Sequence, residues 1–189
     1  MAVPHVRGQL FQASLEYVHH RHGAPTVQEV VASLAEDDRL LVRGLDREGW
    51  YTLGALARLS EAIARVVGGA EELVFEELGA ASARHRTEWL GRDARLVNVH
   101  AFLSRVADEH RLFHDFGRAV YTRGGFHAGE LAFSEYPEVY ASFCRASLGY
   151  LRTAVELLTG GGATVVEAAC QGRGDDACRY VVLWSGPGA

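Results

Sequence analysis

Three cysteines and one glutamate near the end of the chain have the types and spacing of a metal site. Cys170 and Cys178 flank a turn that contains two glycines between two strand-like runs, and Glu167 precedes Cys170 by three residues. Cys144 lies in the apolar stripe of the preceding predicted helix, from which its thiol can reach the sheet. Three sulfur ligands and one carboxylate oxygen suit tetrahedral zinc. Because no position is left for water, the sequence predicts a structural rather than a catalytic site.

The backbone between Glu167 and Cys170 decides whether these groups converge. Side chains of a regular strand alternate between its faces, so residues three apart point in opposite directions. A twist or bulge near residues 168–169 is therefore required before the turn can bring Cys178 back towards Cys170. The alternative is three ordinary cysteines packed as small apolar side chains, with Glu167 solvated on an edge strand.

Length and composition fit a single domain with a real core. The chain has 189 residues, of which 48% are hydrophobic. No apolar run approaches the ~20 residues of a membrane helix, and no signal peptide is recognisable, so we expect a cytoplasmic protein that does not enter a membrane. Three cysteines, an odd number, exclude a complete disulfide framework.

The charged residues exclude several classes of function. All 19 basic residues are arginine, which removes Schiff-base lysines and the phosphate-binding lysine of P-loops. The net charge is −5 and the arginines are scattered, so direct nucleic-acid binding is not expected. The sequence also lacks the Gly-x-Ser-x-Gly elbow of many hydrolases, and we expect no enzyme activity.

Hydrophobic periodicity predicts a helical N-terminal half. Apolar residues recur at helical spacing over 6–22, 53–67 and 72–83. Another helix is expected to begin at Thr26, which with Glu29 has the form of a capping box. The segment 46–50 is predicted to be a loop.

The C-terminal half changes its periodicity. A helix is expected over 96–116, a hairpin at 120–121 and 126–133, and an amphipathic helix that begins at Pro137. Two further strands are predicted at 164–169 and 178–184. The predicted class is α+β: a helical part (1–95) followed by a β-β-α-β-β part (96–185), a four-stranded antiparallel sheet packed on helices, in one domain.

Residues 143–184 resemble the 4-vinyl reductase-type domain, in particular the sensor domains of phenol-responsive transcriptional activators. Those domains carry a helical cysteine, a Gly-Tyr pair, then Glu-x-x-Cys and a final cysteine. The matching residues here are Cys144, Gly149, Tyr150, Glu167, Cys170 and Cys178. The resemblance implies structural zinc at Cys144, Glu167, Cys170 and Cys178, in a non-enzymatic domain that senses a small molecule.

The N-terminal half more weakly resembles the heme nitric-oxide/oxygen-binding domain. His100 would correspond to the heme ligand of that family. Its Tyr-x-Ser-x-Arg clamp becomes Tyr140, Ser142 and Cys144, so the charge that would pair with a heme carboxylate is missing. Heme is therefore the less favoured cofactor. The other residues that carry this resemblance are Arg7, Gly8, Leu10, Phe11, Gly23, Trp50, Tyr51 and Gly79.

A ligand pocket is expected between the helix from Pro137, the sheet and the helix that bears His100. Phe126, Phe133 and Tyr150 would line it, with His100 as a polar anchor for a small hydrophobic or aromatic ligand. The resulting hypothesis is a homodimeric sensing domain in signalling or transcriptional regulation. The alternatives are a protein-interaction or adaptor module of the same fold, as in vesicle-tethering complexes, and a heme gas sensor that uses His100.

Two groups of histidines are candidates for further sites. His110 and His114 are four residues apart on one helical face, a spacing able to hold a metal, but no glutamate follows His110 as in metalloproteases. We expect both to be solvent-exposed. His19, His20 and His22 close the first helix, where positive charge near the C-terminal end is mildly favourable.

Overall fold

The N-terminal half of the chain is almost entirely helical. The computed structural model describes residues 3–90 and 98–185. In the N-terminal half these form β1 (His5–Arg7), α1 (Gly8–His22), α2 (Ala24–Ser33), α3 (Glu36–Arg43), β2 (Trp50–Thr52), α4 (Leu53–Val67) and α5 (Glu71–Leu90). Strands β1 and β2 pair antiparallel, with Val6 opposite Tyr51. None of the helices in the described ranges has the length and apolar character needed to cross a bilayer.

The C-terminal half is an antiparallel sheet covered by helices. Its elements are α6 (Val99–Asp108), α7 (His110–Phe113), β3 (Arg118–Arg123), β4 (Ala128–Ser134), α8 (Ala141–Thr159), β5 (Ala163–Ala169) and β6 (Ala177–Trp184). The strand order is β3-β4-β6-β5, and every neighbouring pair is antiparallel. This confirms the α+β class and the β-β-α-β-β order predicted from the sequence.

Helix α8 contributes to two hydrophobic cores. On one side Leu151 packs over the sheet against Tyr180, and each is 1% exposed. On the other side Phe143 packs against the core of the N-terminal helices, which includes the fully buried Phe11 and Ile63. Burying one such side chain contributes about 1.5–3 kcal/mol. The helix therefore joins the two halves of the molecule.

Helices α5 and α8 cross with their backbones in contact. A Cβ added at Gly79 would lie 1.8 Å from the carbonyl oxygen of Ala146, and one at Gly149 would lie 2.0 Å from that of Glu76. Only glycine allows so close an approach. An ion pair between Glu76 and Arg152, 2.8 Å long, reinforces the crossing.

Two boundaries in the N-terminal half differ from the prediction. The first helix begins at Gly8 because residues 5–7 pair with β2. The second begins at Ala24, and the predicted capping box is wrong: the Thr26 hydroxyl donates to the carbonyl oxygen of His22 (2.9 Å). The helix predicted over 53–67 is confirmed as α4, with the Thr52 hydroxyl accepting from the Ala55 N–H.

Helix α3 is not indicated by the hydrophobic pattern. Its one buried side chain is a carboxylate, Asp38, which accepts two hydrogen bonds from Arg58 on α4, at 2.6 and 2.7 Å. Leu41 and Val42 of α3 also pack against the core of the N-terminal helices, but both stay half-buried.

The helix predicted over 96–116 is divided into α6 and α7. Residue 96 lies outside the described residues. Helix α6 ends at Asp108, and the carboxylate of Glu109 at the break is held by Arg86 and Arg105. The helix predicted from Pro137 begins only at Ala141, because residues 137–138 form a bend and Tyr140 is extended (ψ 132°).

Candidate ligand cavity and thiol cluster

The three cysteines lie together where α8 meets the sheet. Cys144 comes from α8, Cys170 follows β5, and Cys178 lies on β6; their sulfur atoms are all within 4.8 Å of one another. All three side chains are buried. The register of β5 against β6 shifts between Glu167 and Ala169, which is the bulge that the spacing required.

One of the three thiols, that of Cys178, is favoured to carry a negative charge. A hydrogen bond from the Cys144 thiol lowers the pKa of Cys178 to about 6, assisted by the N–H of Gln171 at 3.4 Å. The pKa of Cys144 is raised because it donates that bond and is buried, and burial also raises the pKa of Cys170. The cluster therefore holds one thiolate at neutral pH, and a cation would favour the others.

Glu167 is near this cluster but is engaged elsewhere. One carboxylate oxygen pairs with Arg173 at 2.8 Å, while Oε1 is buried without a hydrogen-bond partner. Its charge raises the pKa of each thiol. Among the described residues, the atoms within 4.8 Å of one another are the three sulfurs without this carboxylate.

A cavity of about 720 Å³ separates the helical half from the sheet-bearing half. Its walls come from α1, α5, α6, α7, α8 and β4. They are mainly apolar and aromatic: Leu10, Ala13, Phe102, Val106, Phe113, Phe133, Tyr136, Phe143, Tyr150 and Leu151. A cavity of this size and lining suits a small organic ligand or cofactor.

Arginines form one part of the cavity lining. Arg86 and Arg105 share the carboxylate of Glu109, and Arg7 donates to the carbonyl oxygen of Leu112 at 3.1 Å. Arg47 also lines the cavity. These cations can pair with carboxylates on a ligand whose remaining surface is apolar.

His110 and His114 also line the cavity, so the prediction that both are solvent-exposed is wrong. Their rings stack at 4.4 Å between centroids, and the ring of Tyr136 stacks on the other side of His110 at 5.9 Å. Burial lowers the pKa of His110 to about 4 and that of His114 to about 3. Both imidazoles are therefore neutral at pH 7.

Of the four residues predicted to contact a ligand, two line the cavity and two do not. Phe133 and Tyr150 line the cavity. His100 instead contacts the β3-β4 hairpin, where its Nδ1 bonds the Tyr121 hydroxyl and its Nε2 bonds the carbonyl oxygen of Phe126 at 3.0 Å. The side chain of Phe126 is 67% exposed.

The residues in the position of the heme-family clamp do not line this cavity either. The Tyr140 hydroxyl donates to Glu138 at 2.6 Å, and the Ser142 hydroxyl is buried without a partner. Cys144 belongs to the thiol cluster. The arginines that line the cavity come from other elements.

Comparisons of the fold identify its relatives among solved structures. The sequence matches no protein-family model and no curated protein. An H-NOX protein from S. oneidensis in the Fe(II)NO state is similar over 95% of this chain and 99% of its own, with TM-score 0.75 and 14% identity. An unliganded Fe(II) H-NOX protein from K. algicida covers 95% and 96%, with TM-score 0.68 and 11% identity. An oxygen-binding H-NOX domain related to soluble guanylate cyclases covers 97% of both chains, with TM-score 0.70 and 15% identity.

These neighbours correct the cofactor prediction. The sequence favoured structural zinc and made heme the less favoured cofactor, whereas the solved neighbours are iron and heme proteins. The 4-vinyl reductase resemblance has no support among these structures, and the weaker resemblance to heme nitric-oxide/oxygen-binding domains is the one they support. Over nearly its whole length, the chain has the fold of H-NOX domains.

Proposed function

We propose that this chain is a sensing domain that holds heme in the cavity between its two halves and responds to a small gaseous ligand. The observation that carries the proposal is the cavity itself, about 720 Å³, in a chain with the H-NOX fold. When bound, heme supplies an iron coordination position for a diatomic gas. The domain would have no catalytic activity of its own.

The chemical character of the cavity lining fits heme. A porphyrin presents a large apolar face, which the aromatic walls can cover, and two carboxylates, which arginines bind well. Arg86 and Arg105 currently share the single carboxylate of Glu109, so one carboxylate serves two cations. The cavity also contains neutral imidazoles, the commonest nitrogen ligands of iron.

The chain's own residues would link the cavity to the rest of the molecule. Gly79 on α5 and Tyr150 on α8 both line it, and these two helices form the glycine crossing. Because the backbones already touch, a change in cavity occupancy would move the two helices as a unit rather than compress their contact.

Titration of the purified protein with hemin, followed by absorbance, tests this proposal. We expect saturation at about one equivalent and a shifted spectrum when the reduced complex is exposed to CO or NO. Ser147→Trp, which places an indole in the cavity lining, should abolish uptake. Ser104→Trp is the matched control, because Ser104 is exposed on α6 and does not line the cavity. Equal uptake by the two variants, or no uptake by the folded wild-type protein, would overturn the proposal.

The thiol cluster supports a second, separate proposal: Cys144, Cys170, Cys178 and Glu167 bind a thiophilic metal ion. The sulfur atoms are already gathered, and the buried Oε1 of Glu167 has no partner. A rotation of the Glu167 side chain away from Arg173 would supply a fourth ligand. Metal analysis of protein purified without chelators should find about one equivalent, and a Cys170→Ser variant should lose it.

The remaining expectations stay predictions. The interaction-module alternative depends on a filled core, which is at odds with a cavity of this volume. An aromatic ligand in place of heme, homodimer formation, a single-domain organisation and a cytoplasmic location are all compatible with the proposal. Displacement of bound hemin by phenols would test the aromatic ligand. Light scattering would test the homodimer.

A further inference from the structure

The two histidines on the cavity wall each form a hydrogen bond through one ring nitrogen, whereas both ring nitrogens of His100 are hydrogen-bonded. Nδ1–H of His114 donates to the carbonyl oxygen of His110 at 3.1 Å, because a carbonyl can only accept. The proton is thereby fixed on Nδ1, and the lone pair of Nε2 is left available. In proteins, a ligating histidine commonly donates its other ring N–H to a backbone carbonyl in this manner.

His110 is held in the opposite tautomer. Its Nε2–H donates to the carbonyl oxygen of Phe116 at 3.1 Å, which leaves the lone pair on Nδ1. Its side chain is only 4% exposed and lies between the rings of His114 and Tyr136. His114 is half-buried as a whole residue, and both histidines line the cavity.

Both ring nitrogens of His100 are already used. Its Nε2–H donates to Phe126, which leaves Nδ1 to accept from the Tyr121 hydroxyl. The ring also packs edge-on against Trp184 at 4.9 Å. To bind a group in the cavity, His100 would have to break both hydrogen bonds and cross to the other face of α6, which presents Phe102, Arg105 and Val106 to the cavity.

We propose that His114, through Nε2, would hold the metal of a group bound in the cavity, and that His110 positions the ring of His114. This proposal rests on the proposed function. It replaces His100, the heme ligand expected from the sequence, by His114. The stacked ring and the carbonyl oxygen of His110 fix the plane and the tautomer of His114 before any ligand arrives.

Hemin titrations of His114→Ala, His110→Phe and His100→Phe, with a parallel set of His114→Ala samples containing imidazole, test the assignment. We expect His114→Ala to lose the histidine-ligated absorbance spectrum and to bind hemin more weakly, by more than the roughly 10- to 100-fold that loss of an outer-shell partner causes. Added imidazole should restore the spectrum of the hemin that co-elutes with the folded protein in gel filtration, whereas an unfolded variant would leave its hemin outside that peak. His100→Phe should retain the wild-type spectrum.

The outcomes separate the two proposals. A wild-type spectrum in His114→Ala with its loss in His100→Phe would overturn this inference and leave the proposed function standing. Failure of the wild-type protein to take up hemin would overturn the function. A measurement without heme tests the premise: long-range ¹H–¹⁵N NMR of the unliganded protein should show His114 as the Nδ1–H tautomer at pH 7, and a charged or Nε2–H imidazole would overturn the inference.

Discussion

Replacing Gly149 by alanine should separate the two helices that join the halves of the molecule. The new Cβ would lie 2.0 Å from the carbonyl oxygen of Glu76, so the helices would have to move apart by roughly 1.4 Å to reach ordinary contact. Alanine gains about 1 kcal/mol in helix propensity over glycine. Overpacking of a rigid contact costs about 1–3 kcal/mol and more where backbone must move. We expect a net loss of about 2 kcal/mol in the free energy of unfolding, or about 4–8 °C in Tm.

Urea denaturation of Gly149→Ala and of the matched variant Gly44→Ala measures this effect. Gly44 ends helix α3 with φ −100°, and a Cβ there would meet its nearest atom at an ordinary 3.5 Å. The control should stay within about 0.5 kcal/mol of wild type. A Gly149→Ala protein as stable as the control would show that the backbones of α5 and α8 do not touch, and would refute the reasoning.

The remaining predictions concern protonation, a part-buried ion pair and the thiols. Because burial depresses the pKa of His110 to about 4 and of His114 to about 3, the unfolded chain binds more protons between pH 6.5 and 4. The free energy of unfolding should therefore decrease as the pH is lowered through this window, by about 3 kcal/mol for His110 alone, and a flat pH profile would contradict the burial. Arg58→Ala should cost about 1–2 kcal/mol in denaturation experiments because it leaves the carboxylate of Asp38 unpaired, and an unchanged midpoint would contradict the pairing. Metal-free protein should show the ultraviolet absorbance of one thiolate at neutral pH, and a Cys178→Ser variant should lose it; no thiolate absorbance at neutral pH would contradict the lowered pKa of Cys178.

The sequence predicts the fold where burial follows a regular period. Helix α4 matches the range predicted for it, and the order of the last four strands is also correct. Prediction fails where polar contacts determine the structure. Helix α3 is tied to α4 by the Asp38–Arg58 ion pair, and the break before α7 is accompanied by an ion pair between Glu109 and Arg86 on α5. Such pairings join residues far apart in sequence, so no local pattern reveals them.

The two candidate sites also differ in how much of them the sequence predicts. The thiol cluster follows from spacing and from a bulge that strand geometry demands, and the structure brings the three sulfurs together. The histidine pair shows four-residue spacing, but its exposure could not be judged from that. One signal was available: two aromatic residues, Phe113 and Phe116, lie beside His114 in the sequence. Their contact with the cavity arises from the packing of separate elements, which the sequence does not display.

The central claim is that the cavity between the two halves is the cofactor site, and a crystal structure of the hemin-treated protein tests it most directly. The account predicts a porphyrin enclosed by α1, α5 and α8, its iron next to Nε2 of His114 and its carboxylates near Arg86 or Arg105. Hemin bound only at the exposed histidines that end α1, with the cavity unchanged, would contradict it.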